Sequence, residues 1–272
     1  MLINNSGVVF MVESFYNILA KSHLTEDDIK KLERAFKRLE EEEKLLEKVF
    51  LHIPLERKRI LDMGTGQGFA CKFLVDHAKE SIIITVDKDP LSLNRVRNVI
   101  GEKIDDIIFM KADLTDMTFI KDNYFDIALS HYTLSAVDEK ELYIILEEVH
   151  RVLVPNGILV IVEGFNEGKK DIPRRLTLEL EEIYYQITGE FEEMRLETFL
   201  SKIKRFRGFR IVEVKKLDDG LLDPTIEDFA YYLLSLTKDE SLRRRIIEIC
   251  EKGKIYGFRE SPNYAFYLKK QS

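Results

Sequence analysis

The chain is poor in cysteine: Cys71 and Cys250 are the only two among 272 residues. They lie far apart and match no metal-ligand spacing. This argues against a disulfide framework or a cysteine-based metal knuckle and leaves two reduced thiols packed among apolar neighbours in a reducing compartment. Long apolar runs are missing too. The clearest run covers 158–162, far short of the roughly 20 residues that a membrane-spanning helix needs. No Lys or Arg precedes the short apolar stretch 8–12, so a secretory leader is not expected and a cytoplasmic location is. Met11 opens a second reasonable translation start, which makes residues 1–10 a candidate extension. Excess positive charge is lacking as well: 42 Lys and Arg face 49 Asp and Glu, a net charge of −7. An acidic surface repels a phosphate backbone and disfavours nucleic acid as a partner. No internal repeat or low-complexity segment is visible.

What is present suffices for a sizeable core. Hydrophobic residues make up 45% of the chain, enough for one large α/β domain with additions or for two small domains. Abundant Lys, Glu, Arg and Ile with little Gln would suit a thermophile.

Thr25 opens a helix as a cap, with Asp28 as the acidic end of a capping box. Ile29, Leu32, Phe36, Leu39, Leu46 and Phe50 then recur at helical spacing, with 40–44 as a solvated interruption. The stripe is expected to pack on its own domain rather than to form a coiled-coil dimer, because Glu43 occupies a seam position. After Pro54 the pattern alternates. Strands are expected at Arg59–Met63, Ile82–Asp87, Ile107–Lys111, 125–130 and 158–163, with helices over 69–79, 90–100 and 139–153 between them. Such alternation implies a doubly wound, mostly parallel sheet. Residues 173–207 read as one or two helices, Phe209–Lys216 and Asn263–Lys270 as closing strands, and 225–257 as a helical excursion. The division expected is a helical cap (1–54), a core (55–165), a helical insertion (166–208) and a closing segment (209–272).

The most informative stretch is Ile60-Leu61-Asp62-Met63-Gly64-Thr65-Gly66-Gln67-Gly68. A buried strand runs into a loop with glycine at alternate positions, where the chain turns and a ligand can lie against bare backbone. A helix then begins with its free N–H groups toward that ligand. Dinucleotide sites favour G-x-G-x-x-G, because a pyrophosphate sits on the helix start. The spacing here is G-x-G-x-G, and Asp62 stands two positions before the first glycine. A carboxylate there repels a pyrophosphate and suits a ligand carrying an ammonium group, so a nicotinamide dehydrogenase is disfavoured.

This stretch resembles the first motif, (D/E)-x-G-x-G-x-G, of the class I S-adenosylmethionine-dependent methyltransferases, and matches it at all four positions. Further segments resemble the family in order. Ile82-Ile83-Ile84-Thr85-Val86-Asp87, followed by Lys88, ends a strand in the acid that in the family binds the ribose hydroxyls. Lys111-Ala112-Asp113-Leu114 resembles the segment whose acid meets the adenine amino group, with Ala112 and Leu114 lining the ring; the plainer role of Asp113 is to cap the next turn. Tyr124-Phe125-Asp126-Ile127-Ala128-Leu129-Ser130-His131 resembles the fourth motif. The segment 147–163 resembles the helix packed on the fifth strand, with Pro155-Asn156-Gly157 where Pro-Gly-Gly is usual; Asn tolerates the left-handed geometry. The resemblance covers 55–165 closely, the last two strands loosely, and is nearest the small-molecule branch that includes ubiquinone- and menaquinone-biosynthesis methyltransferases.

The resemblance implies a Rossmann-like doubly wound sheet of seven strands, mostly parallel with an antiparallel last strand, plus N-terminal helices and helical insertions. It also implies S-adenosylmethionine as cofactor, S-adenosylhomocysteine as product, and a cofactor site of Asp62, Gly64, Gly66, Gly68, Asp87, Lys88, Ala112, Asp113, Leu114 and Ser130, with no metal. The sulfonium makes the methyl group electrophilic, so transfer is a direct in-line displacement governed by alignment. A base is needed only if the acceptor must lose a proton. His131 is the candidate base; a backbone contact or a wall residue are its other readings, since the family more often has Asn there. Tyr132 and Glu163 are similarly placed. The other histidines, His23, His52, His77 and His150, read as structural or solvated.

The fourth motif lacks the Asn/Asp-Pro-Pro-Tyr/Phe signature of enzymes that methylate exocyclic amines. A small-molecule acceptor is therefore expected, with an RNA or protein methyltransferase, or a non-catalytic cofactor-binding protein, as alternatives. Tyr184, Tyr185 and Phe191 are candidates to roof the acceptor, and Phe15 and Tyr16 to close over the cofactor. The basic stretch 202–207 reads as a solvated helix face. Both a monomer and a homodimer remain open.

Overall fold

The computed structural model describes residues 25–166, 171–189, 195–220, 222 and 226–271. Contacts divide the chain into one unit ending at Glu41 and a second from Glu42 to Ser272. Of the first, the described part is Thr25 and the start of helix α1, Glu26–Phe50. The second holds every described strand.

The seven strands are β1 (Arg59–Met63), β2 (Ile82–Asp87), β3 (Ile107–Lys111), β4 (Phe125–His131), β5 (Leu153–Gly164), β6 (Phe209–Lys216) and β7 (Asn263–Lys270), in sheet order 3-2-1-4-5-7-6. β7 runs antiparallel to both its neighbours and the other pairings are parallel. Between them lie α2 (Phe69–His77), α3 (Ser92–Ile100), α4 (Glu139–Val152), α5 (Ile172–Thr188), α6 (Leu196–Arg205), α7 (Ile226–Leu236) and α8 (Glu240–Tyr256). The fold is the Rossmann-like doubly wound sheet that the motif order implied.

Strands covered on both faces have no use for polar alternation, and Ile60, Leu61, Leu129, Val160 and Ile161 are fully buried. One face packs on α4 and α6. There Phe165, Phe199 and Phe266 form a triangle with ring centroids 5.4–5.7 Å apart. The other face packs on α2 and the last two turns of α1, through Leu45, Leu46, Val49 and Phe50. A third cluster joins α5, α7 and α8. Aspartates cap three of these helices: Asp138 for α4, Asp171 for α5 and Asp239 for α8. Each side chain satisfies N–H groups that would otherwise lack partners.

Two local expectations change. β5 begins at Leu153, not 158, because Leu153 already pairs with Phe125 before a register shift. The Pro155-Asn156-Gly157 turn therefore lies inside the strand, and Asn156 adopts φ +64°, the left-handed geometry expected of it. The 40–44 interruption of α1 is not uniformly solvated: Glu42 is only 1% exposed.

Candidate functional site

The site grows from the carboxyl ends of β1, β2 and β4. Strand alternation turns Asp62 into the face covered by α2, where it is fully buried. Its Oδ2 accepts hydrogen bonds from the Thr85 hydroxyl (2.8 Å) and the Cys71 thiol (3.0 Å). With the Thr85 proton so used, the Thr65 hydroxyl donates to Thr85. Oδ1 is buried, with no hydrogen-bond partner among the described residues. An unpaired buried carboxylate oxygen costs on the order of 1–3 kcal/mol or more, and a cationic donor arriving from the loop side would relieve it. Cys71 is thus no mere apolar filler. Burial, reinforced by the Asp62 charge, holds its thiol well above the ordinary range, so it donates without being a nucleophile.

The three motif glycines all adopt left-handed φ, +78°, +52° and +88° for Gly64, Gly66 and Gly68, yet their surroundings differ. A Cβ on Gly64 would lie 2.3 Å from Thr133 Oγ1, and one on Gly68 would lie 3.2 Å from the Val96 backbone. A Cβ on Gly66 meets nothing nearer than the Gly64 carbonyl at 3.8 Å. Packing requires the outer two to be bare; the middle one is crowded by no described residue.

Asp87, at the end of β2, binds this loop. Its Oδ2 accepts from Gly66 N–H (3.0 Å) and the Ser92 hydroxyl (2.8 Å), and Oδ1 accepts from Asp89 N–H (2.8 Å). A carboxylate has about four lone-pair positions, so one remains on Oδ1. From α3, Arg95 adds a hydrogen bond to the Gly66 carbonyl (2.9 Å) and pairs with Asp89. Beyond the loop, a cleft of about 100 Å³ collects Gly64, Asp87, Lys88, Ala112, Asp113 and Leu114 together with Thr133 and Glu141. Asp113 does cap the following turn: its Oδ1 accepts from the Thr115 N–H and hydroxyl. These bonds hold its carboxyl below the usual range and involve Oδ1 alone.

His131 and Ser130 end β4 on opposite faces of the sheet. Ser130 is fully buried and its Oγ has no partner among the described residues. The His131 ring is 6% exposed, and its Nε2 stands 3.1 Å from Glu42 Oε2 of α1, within ion-pair distance. Glu163, at the end of β5, is 1% exposed and accepts from the Ser135 N–H (3.1 Å) and hydroxyl (2.7 Å). Burial pushes Asp62 and Glu163 above the ordinary carboxylate range against the pull of those hydrogen bonds. Tyr132 donates to Asn263 (2.9 Å).

Glu42, Thr85, Arg95 and Thr133 escaped the sequence reading. Thr85 left a signal, as the lone polar residue inside the apolar run of β2; the others left none. Tyr184 packs on Phe229 in the α5–α7–α8 cluster, and Tyr185 is half exposed. In the 202–207 stretch only Ile203 is buried. His77 stacks on Phe73, and His150 packs edge-on to Phe209. Phe15, Tyr16, His23 and Phe191 lie outside the described residues. Among the described residues no cluster of His, Cys, Asp or Glu converges as metal ligands, and no helix is long and apolar enough to cross a membrane.

Residues 61–161 match a family model described as a methyltransferase domain, of the type 11 branch. Solved structures of similar fold surround it. A cyclopropane-fatty-acyl-phospholipid synthase-like protein from Lactobacillus casei superposes with TM-score 0.61 at 16% identity, covering 85% of this chain and 90% of that one. A SAM-dependent methyltransferase from Aquifex aeolicus gives TM-score 0.52 at 17% identity, with 85% and 89% covered. The cyclase SpnF gives 0.56 at 19%, with 84% and 80% covered. Comparison with curated proteins gives no match.

The buried acid of this site predicts a pH signature. Because the folded-state pKa of Asp62 is raised, folding favours its protonated form. Stability is fully present below the unfolded value and declines as pH rises from there through the folded value. The Asp62→Asn variant removes this decline, so its melting temperature should gain on wild type as pH rises above the ordinary carboxylate range. Parallel profiles would show that Asp62 ionises as freely in the fold as out of it.

Proposed function

We propose that the chain is an S-adenosylmethionine-dependent methyltransferase acting on a small-molecule acceptor. The observation that carries this is that, among the described residues, Oδ1 of Asp62 has no partner and nothing crowds the middle glycine of the turn above it. A bare backbone surface next to an unsatisfied carboxylate suits a nucleoside bearing an ammonium group. When bound, that cofactor supplies an electrophilic methyl group on a positively charged sulfur.

In this reading Asp62 receives the ammonium group, and Gly64, Gly66 and Gly68 keep the backbone clear. Asp87 takes a ribose hydroxyl with its remaining lone pair, beside Lys88. Asp113 receives the adenine amino group on Oδ2, while Ala112 and Leu114 wall the ring and Ser130 offers a hydroxyl near the strand end. His131 accepts a proton from an acceptor that must give one up, with the Glu42 carboxylate at ion-pair distance from its Nε2. S-adenosylhomocysteine is the product. The acidic balance of the chain supports a small molecule over RNA.

Titration calorimetry with S-adenosylhomocysteine tests the cofactor site, and methyl-labelled cofactor with a metabolite extract, read by mass spectrometry, tests transfer. A folded protein that ignores the nucleoside at millimolar concentration would remove the basis of the proposal. Asp87→Ala should weaken binding by roughly 1–3 kcal/mol. Part of that loss comes through the freed Gly66 N–H, so Asp87→Asn, which keeps an acceptor for it, should lose less. Equal affinities for both variants would separate Asp87 from the loop.

A further inference from the structure

At the other end of the sheet from the glycine turn lies a larger concavity of about 470 Å³, inside the range of roughly 300–1,000 Å³ typical of small-molecule sites. Ile158, Lys269 and Arg210 form one row across β5, β7 and β6, level with the beginning of β1. Tyr267 lies next to that row and donates its hydroxyl to the Val49 carbonyl in the last turn of α1 (2.9 Å). β6 is an edge strand with a bulge between Ile211 and Glu213, which sets Val212 outward at 57% exposure. Bulges re-aim side chains at such edges. The outcome is an apolar floor of Val49, Ile53, Ile158, Val212 and Tyr267.

The rim has the opposite sign to the rest of the chain. Lys48, Arg210, Lys215 and Lys269 surround the floor against a single carboxylate, Glu213, although the net charge of the protein is −7. Among the described residues none of these four cations is ion-paired. An unpaired cationic rim over an apolar floor complements a ligand with an apolar body and an anionic end. The end of α1 carries partial negative charge on its last carbonyls. The anionic group therefore belongs on the β6–β7 side, by Arg210, Lys215 and Lys269, with the apolar body toward Val49 and Ile53. We propose that this concavity binds a small, soluble amphipathic anion, an aryl or short alkyl body ending in phosphate or carboxylate, at a site separate from the nucleoside cleft.

The test uses the full chain and calorimetry with naphthyl phosphate and with octyl phosphate below its micellar concentration. Inorganic phosphate and phosphatidylglycerol vesicles serve as comparison probes. Both organic phosphates should bind more tightly than inorganic phosphate, and binding should weaken as salt is raised. The double variant Arg210→Glu, Lys269→Glu should bind about tenfold more weakly or worse. Val212→Asp should also lose affinity, and all variants should keep the wild-type melting temperature. S-adenosylhomocysteine affinity should stay at the wild-type value in each, so a failed nucleoside titration counts against the cofactor reading alone. The proposal is overturned if inorganic phosphate binds as well as the organic phosphates, if the double variant binds like wild type, or if only vesicles are captured.

Discussion

Gly66→Val is expected to abolish S-adenosylhomocysteine binding while leaving a folded protein. The residue holds φ +52°, where an L side chain costs roughly 1–2 kcal/mol. Apart from its two chain neighbours, no described atom other than the Gly64 carbonyl lies within 4 Å of the added Cβ, so the core does not have to move. The isopropyl group instead fills the space in front of the loop. Calorimetry should give no measurable heat of binding, and the melting temperature should fall only by the few degrees that this backbone cost implies. Gly64→Ala is the contrasting variant. Its Cβ collides with Thr133, whose hydroxyl donates to the Met63 carbonyl (2.9 Å), so it should lose stability along with binding. Nucleoside affinity retained in Gly66→Val would place the ligand elsewhere.

Phe266→Ala should destabilise the fold by about 3–5 kcal/mol, the usual cost of truncating a fully buried aromatic. Phe266 sits in β7, between β5 and β6, and is wholly inaccessible. Its ring meets Phe165 at 5.7 Å and Phe199 at 5.4 Å. Removing it opens a cavity between the sheet and α6 that rigid strands cannot collapse. Chemical denaturation with an unchanged m-value would report this directly, and a loss below about 1 kcal/mol would mean that neighbouring side chains refill the space.

Strand and helix placement was largely legible in the residues. Apolar runs bounded by Gly, Asp or Pro marked β1, β2 and β3 at their observed limits. β5 was the exception, because Val154-Pro155-Asn156 reads as a turn while long-range pairing of Leu153 with Phe125 makes it strand. Four consecutive glutamates, Glu40 to Glu43, look alike in sequence; only Glu42 is buried, on the side of the helix that meets His131. Cys71 carried no sign of its bond to Asp62, nor Arg95 of its clamp on Gly66.

The order of elements and the glycine turn belong to the chain alone, since hydrophobic period and backbone freedom are properties of neighbouring residues. Tertiary packing decided which carboxylates lose water and which keep it. Asp62 is buried against Thr85 and Cys71, whereas Asp113 stays at the surface. That difference depends on partners brought together by the sheet, and solvation is set by everything within a few ångströms, however far away along the chain.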